Sequence, residues 1–306
     1  MLARERLAAA YSSAGRTGEA ISAFEAAVAD REQALGSEHP DTVSARVKLA
    51  RSYQEAGRET EAFALYEQVL PLHERLFGTA HRDTLAVRAE LAAAYQAAGR
   101  RGDSIRLHEQ ALADSERALG PAHRETLAAR TQLAAAYQAA GRLPEAIAAY
   151  QHTLTDQERA SGPDHPDTFP TRASLANAYR LAGKLKEAIT AYQRVLADRE
   201  RIQGADHPDT MTARGNLAAA YQLARRLRDA IPQYERAVAD SERMLGPGDI
   251  ETLTTRCNLA TAYYAAGRLS DVVSVLRRAL ADCEQYLGPD HSMTSTVREN
   301  LKAASE

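Results

Sequence analysis

Tyr11, Tyr53, Tyr95, Tyr137, Tyr179, Tyr221 and Tyr263 stand 42 residues apart, with no insertion or deletion between them. The same interval carries a leucine from Leu7 to Leu301, a threonine from Thr42 to Thr294 and an arginine from Arg4 to Arg298. A fixed period of this length means one supersecondary unit stacked on copies of itself, not a single globular core. Such an array offers a surface and no ready-made reaction. The period therefore decides architecture and leaves function to the side chains.

The 306 residues are rich in Ala, Leu, Arg, Glu and Gln, all good helix formers, and β-branched runs are absent. A net charge of −3 with interspersed signs argues against a dedicated nucleic-acid surface. No apolar stretch approaches the ~20 residues of a membrane span. The basic opening MLARERLAAAYSSAGR superficially resembles a transit peptide, but it aligns with later repeats and is assigned to helix. Cys257 and Cys283 are too few for a disulfide-stapled scaffold and suit free thiols in a reducing cytoplasm. The hairpin described next places them at levels that do not face one another, so no bond between them is expected.

The second unit, residues 39–78, shows the local logic. Pro40 fits a first helical position and Asp41 suits the positive helix end. Leu49, Ala50, Tyr53 and Ala56 form one apolar stripe, and Gly57 stops the helix in a left-handed conformation. Ala62, Phe63, Tyr66, Val69 and Leu70 then stripe a second helix of about 19 residues, roughly 28 Å long. Small Ala50 and Ala62 let the helices approach while Leu49, Tyr53 and Tyr66 fill the space beside them. Neither helix hides its stripe alone, so each pair must lie against the next.

The spacing Leu49-Ala50-x2-Tyr53-x3-Gly57-x4-Ala62-x3-Tyr66-x2-Val69 resembles the signature of tetratricopeptide repeats in every unit, with Arg46 where many members carry Trp. The 42-residue length and the linkers GSEHPDT, GPDHPDT and GADHPDT are similar to the kinesin-light-chain subtype. Arrays of this kind, rich in alanine and arginine, are common in actinobacteria, often fused to nucleotide-binding regulatory ATPases. The resemblance implies an all-α, right-handed α-solenoid: seven 42-residue helix-turn-helix repeats plus a terminal helix. Residues 1–306 read as one array, with units starting near 1, 39, 81, 123, 165, 207 and 249 and the last helix at about 291–304. The start at Met1-Leu2 falls inside a repeat. It reads either as a segment of a longer protein or as an end that packs on a partner.

Several recurring groups invite chemistry. His39, His81, His123, His165, His207 and His291 lie in linkers one repeat apart, too far to share one ion, and are expected to satisfy exposed helix amides. His108 replaces an aromatic on the second-helix stripe and is expected in the core. The acid pairs Asp30/Glu32, Asp114/Glu116, Asp156/Glu158, Asp198/Glu200, Asp240/Glu242 and Asp282/Glu284 recur with the arginines. Ion pairs such as Arg46 with the preceding Asp30 or Glu32 are predicted, in place of catalytic carboxylates. Cys257 beside Arg256 reads as a small buried thiol. No phosphate-binding, nucleophile or metal motif occurs, so no enzyme, cofactor or metal is expected.

In tetratricopeptide arrays the first helices line a concave face. The resemblance places its groove positions at Lys48, Arg51, Gln96, Gln138, Asn177, Arg180, Asn216, Gln222, Asn258 and Thr261, among others of the same three series. Asn and Gln offer a donor and an acceptor each to an extended peptide backbone, as asparagines of kinesin-light-chain-like grooves do. Lys48, Arg51 and Arg180 could take an acidic residue or a C-terminal carboxylate. The competing reading is that these are solvated surface residues. Arg225 in place of the turn glycine, Pro71 and Pro232 inside second helices, and Gly102-Asp103-Ser104 at a helix start are expected to perturb single repeats, the third most.

Together these readings predict a cytoplasmic, non-catalytic scaffold binding a protein segment or peptide, with no nucleic acid or membrane partner. Its context would be the recognition or sensor region of a bacterial regulatory protein. The rivals are a structural scaffold that self-associates through its N-terminal end, and a peptide-pheromone receptor.

Overall fold

The computed structural model describes residues 2–305, which form two compact units, Met1–Ala160 and Ser161–Glu306. The first holds α1 (Leu2–Ser13), α2 (Thr17–Leu35), α3 (Pro40–Glu55), α4 (Glu59–Phe77), α5 (Arg82–Ala97), α6 (Arg101–Leu119), α7 (Arg124–Ala139) and α8 (Leu143–Ser161). The second holds α9 (Thr168–Leu181), α10 (Leu185–Ile202), α11 (Pro208–Leu223), α12 (Leu227–Met244), α13 (Ile250–Ala265), α14 (Leu269–Tyr286) and α15 (Ser292–Ser305). No strand occurs among the described residues. Successive helices pack on one another from α1 to α7 and from α9 to α15, and Arg130 of α7 bonds Asp156 of α8, as the repeat pattern predicts.

One device turns the chain inside each hairpin. Gly15 takes φ +72°, its N–H bonds the Ser12 carbonyl at 3.0 Å, and the Arg16 N–H reaches back to the Tyr11 carbonyl at 2.9 Å. This is a Schellman closure, which consumes two carbonyls the helix end would leave bare. The side chains at its two ends also meet. The Arg16 guanidinium lies 4.6 Å from the Tyr11 ring centroid, and Arg58, Arg100, Arg142, Arg226 and Arg268 repeat the contact on Tyr53, Tyr95, Tyr137, Tyr221 and Tyr263. Each of these stacks replaces the apolar contact usual at that closure with a cation over an aromatic face. Arg225 keeps the turn without glycine by holding φ +58°.

The linkers between hairpins are equally regular. His39, His81, His123, His165, His207 and His291 each accept, through Nδ1, the amide N–H two residues on, at 3.2–3.4 Å. Where the series changes to Asp249, Oδ1 accepts from the Glu251 N–H at 2.8 Å instead. The expected amide-satisfying role of the histidines is thus their observed one. The recurring threonine is fully buried in all seven linkers, and Thr126 and Thr294 donate to the Gly120 and Gly288 carbonyls at 2.7 Å.

Ala20, Ala62, Ala146, Ala188 and Ala230 are buried to 1% exposure or less on the second-helix stripe, beside Phe24, Tyr66, Tyr150, Tyr192 and Tyr234. The expected perturbations do not break helices. α4 and α12 run through Pro71 and Pro232, and α6 forms from Arg101 at full length. The cost at α6 is local: the Ser104 hydroxyl is buried without a partner where other repeats place alanine.

His108 sits in the core at 8% exposure, where Tyr66 and Tyr150 sit in the neighbouring repeats. Burial holds its imidazole below the ordinary histidine range. The native state therefore resists a proton that the unfolded chain accepts near pH ~6.5. Stability from this group is complete above that value and falls as pH drops towards the lowered native pKa. His108→Tyr should lose less of its urea midpoint between pH 7 and pH 5 than the parent chain. Equal losses would mean that the imidazole is not held neutral by the fold.

Candidate functional site

The ten predicted groove residues all lie on first helices, but their hydrogen bonding divides them. In the first unit Lys48 Nζ meets Glu5 Oε2 at 3.2 Å, and Arg51 is hydrogen-bonded to Glu90. Glu90 also accepts the Tyr66 hydroxyl at 2.7 Å, so this carboxylate serves two partners. The two cations proposed to take an acidic group are already engaged within the chain. Gln96 is exposed with no internal partner, and Gln138 is half-buried with its carbonyl oxygen unpaired.

In the second unit Arg180 Nη2 donates to Asn177 Oδ1 at 2.7 Å, and its guanidinium lies beside the buried Tyr192. Thr261 Oγ1 donates to the Cys257 carbonyl at 2.9 Å, inside its own helix. Asn216 and Asn258 are different. Both amides are exposed and bond nothing within the chain. They line one cleft of about 580 Å³ between α11 and α13, floored from α12 by Tyr234, Ala237 and Ser241. Gly215, beside Asn216, keeps that wall low, and the hydroxyls of Thr212, Thr254 and Thr255 donate to carbonyls of their own helices. Gln222 lines a separate shallow cleft with Ala219 and Arg225. Asn300, one period beyond Asn258, shares a third cleft of about 240 Å³ with Thr261 and Tyr264. The same 42-residue count reaches Asn300, and the predicted set stopped short of it.

The acid pairs are not a catalytic constellation. Arg46 bonds the preceding Glu32 at 2.6 Å, as predicted. The prediction was incomplete, because most of the arginines also reach forward into their own hairpin. Arg130 bonds Glu116 at 2.8 Å behind it and Asp156 at 2.6 Å ahead. Arg88 joins Glu74 to Asp114, Arg214 joins Glu200 to Asp240, and Arg256 joins Glu242 to Asp282. Arg46 lacks the forward carboxylate because Leu72 stands there, and its side chain stays 17% exposed against 3% for Arg88. Each guanidinium thus rivets two successive hairpins at one height.

The cysteines need a correction. Arg256 and Asp282, their sequence neighbours, are bonded, so Cys257 and Cys283 share one level of the hairpin instead of facing past each other. Both are free thiols. Burial, then the neighbouring Cys283, pushes the Cys257 thiol up, opposite to what an activated nucleophile needs. No cluster of three or more metal-ligating side chains occurs among the described residues. No described helix is long and apolar enough to cross a membrane.

Tetratricopeptide repeat models match residues 1–75, 44–117, 83–159, 125–201 and 174–243, and a further one matches 252–292. The chain belongs to the tetratricopeptide repeat family. No curated protein matched it. Among solved structures it is similar to a Podosopora anserina protein described as a kinesin light chain with nearly identical TPR-like repeats. The two are 32% identical, with 67% of this chain and 98% of that one covered and a TM-score of 0.59. BtubC (BKLC) from P. vanneervenii shares the fold at 21% identity, covering 74% of this chain and 91% of that one, with a TM-score of 0.61. The tetratricopeptide sensor-bearing STAND protein of Pyrococcus horikoshii matches 94% of this chain over 41% of its own, at 13% identity and a TM-score of 0.65. The kinesin-light-chain-like subtype read from the linkers is therefore supported by both sequence and fold. Tetratricopeptide repeats make a protein-interaction scaffold, and this one is all helix among its described residues.

Arg214 tests the rivet role of this repeat family member's arginines. Its side chain is fully buried between Glu200 and Asp240. Arg214→Gln should lower the unfolding free energy by about 3 kcal/mol, towards the lower end for a broken buried pair because Glu200 keeps 34% of its side chain in water. An unchanged urea midpoint would assign the arginine to the solvent.

Proposed function

We propose that the chain is a non-catalytic recognition scaffold that binds a protein segment or peptide across its first helices. The observation that carries this reading is the pair of unbonded amides, Asn216 and Asn258, on the two sides of one cleft. An Asn side chain presents both a donor and an acceptor, the complement of a peptide unit. Two of them one repeat apart hold an extended backbone at two points while the cleft takes a side chain between them. Lys48, Arg51, Asn177 and Arg180 are then best assigned to shaping the surface, because each already has a partner. A role as the sensor region of a regulatory protein agrees with the fold likeness to the STAND sensor. A cytoplasmic setting suits the two free thiols.

The test is a random peptide selection on the intact chain, repeated after Asn216→Ala and Asn258→Ala together. Selected peptides should bind the variant at least about tenfold more weakly, the loss of one or two net hydrogen bonds, with thermal unfolding unaltered. Unaltered affinity would remove these amides from the site.

A further inference from the structure

The first unit carries a second cleft whose chemistry differs from that of the asparagine cleft. It measures about 280 Å³ and lies between α5 and α7 over α6. Ala111 forms its floor, and Leu85, Ala86, Ala128 and Ala129 form its walls. At one end stand Arg82 and Arg124, the first residues of α5 and α7, and farther along α7 the exposed amide of Gln132. Neither guanidinium has a carboxylate, carbonyl or ring partner among the described residues. Arg6, Arg101, Arg228 and Arg277 are equally unbonded on their helices, but they line none of the clefts described, whereas Arg82 and Arg124 share this one. The equivalent residue is Pro40 in α3, Pro208 in α11 and Ile250 in α13, so the cationic pair belongs to this cleft alone among these. The one carboxylate among the lining residues is Glu125, and its Oε2 lies 2.7 Å from His123 Nδ1.

We infer that this cleft is a receptor for an acidic side chain, aspartate or glutamate, of a bound peptide. Two unpaired guanidiniums one repeat apart present a fork of donors to a single carboxylate. Alanine walls leave room for its methylene stem and gain by covering it. A free inorganic anion would use the cations and waste the apolar walls. Gln132 offers the adjoining peptide unit a donor and an acceptor. The inference rests on the peptide-recognition reading above and adds a ligand class that the amide cleft does not specify.

Random dodecapeptides selected on the intact chain supply the probes. Each acid in the tightest binders is exchanged for its amide, and affinity is read by fluorescence anisotropy. For at least one acidic position the exchange should weaken binding about tenfold or more. On the chain carrying Arg82→Gln and Arg124→Gln, acid and amide peptides should bind alike, with unfolding temperature unchanged because neither exposed arginine makes an internal hydrogen bond or ion pair. Arg82→Lys with Arg124→Lys should keep part of the preference. Selected peptides without a required acid, or an acid preference that survives the glutamine variant, overturn the inference. Inorganic phosphate competing far better than chloride at equal ionic strength, with no acid dependence in the peptides, makes the cleft a free-anion site instead. The Asn216→Ala, Asn258→Ala chain is measured in parallel. Peptides that respond to the asparagines and not to the arginines sink this inference alone, whereas no selectable peptide at all sinks both.

Discussion

A guanidinium held between two carboxylates of different hairpins is the contact on which this architecture turns. A helical pair of this sort has an apolar stripe on each side and cannot bury both by itself. Apolar attraction is non-directional, so the stripes alone specify height less sharply than a bonded charge does. Arg130, bonded behind to Glu116 and ahead to Asp156, is a charge of this kind. Burying such a charge costs solvation, and well-packed apolar residues of similar volume often stabilise as much. What an apolar residue would lack is the geometric demand that three charged groups meet at one level.

Register then reaches the candidate clefts. Because hairpins within a unit sit at a constant height on one another, side chains one period apart on its successive first helices come side by side. Asn216 and Asn258 meet across one cleft for this reason, and Arg82 and Arg124 across another. The tyrosine at each turn supports the same order, since Tyr53, Tyr137 and Tyr263 donate to Glu25, Glu109 and Glu235 of the preceding hairpin at 2.6–2.7 Å while carrying the turn arginine on their rings. The scaffold is built by repetition, and its clefts differ through the first-helix positions that change along the array.

The recurring Gly-Arg dipeptide, Gly57-Arg58 and its equivalents, was legible at the same period as the tyrosine. Its cation–aromatic role was not, because the two residues meet only once the chain has reversed. The forward half of the arginine bridge was missed for a related reason. Arg130 and Asp156 lie 26 residues apart, a separation with no helical meaning until the hairpin folds back on itself. Reading the cysteine levels failed on this same geometry.

Sequence alone determined the helical hairpin, its length, its turns and its family, since each follows from local rules: apolar spacing, a glycine at the left-handed position, a cap at the helix start. It also marked the first-helix positions that face outward. Which of those positions are free to bind was decided by the tertiary structure. Lys48, Arg51, Asn177 and Arg180 look like ligands in a string of letters, but folding brings Glu5, Glu90 and Tyr192 within their reach. A polar side chain is available to a partner when the fold supplies none, and that balance depends on neighbours that local sequence does not name.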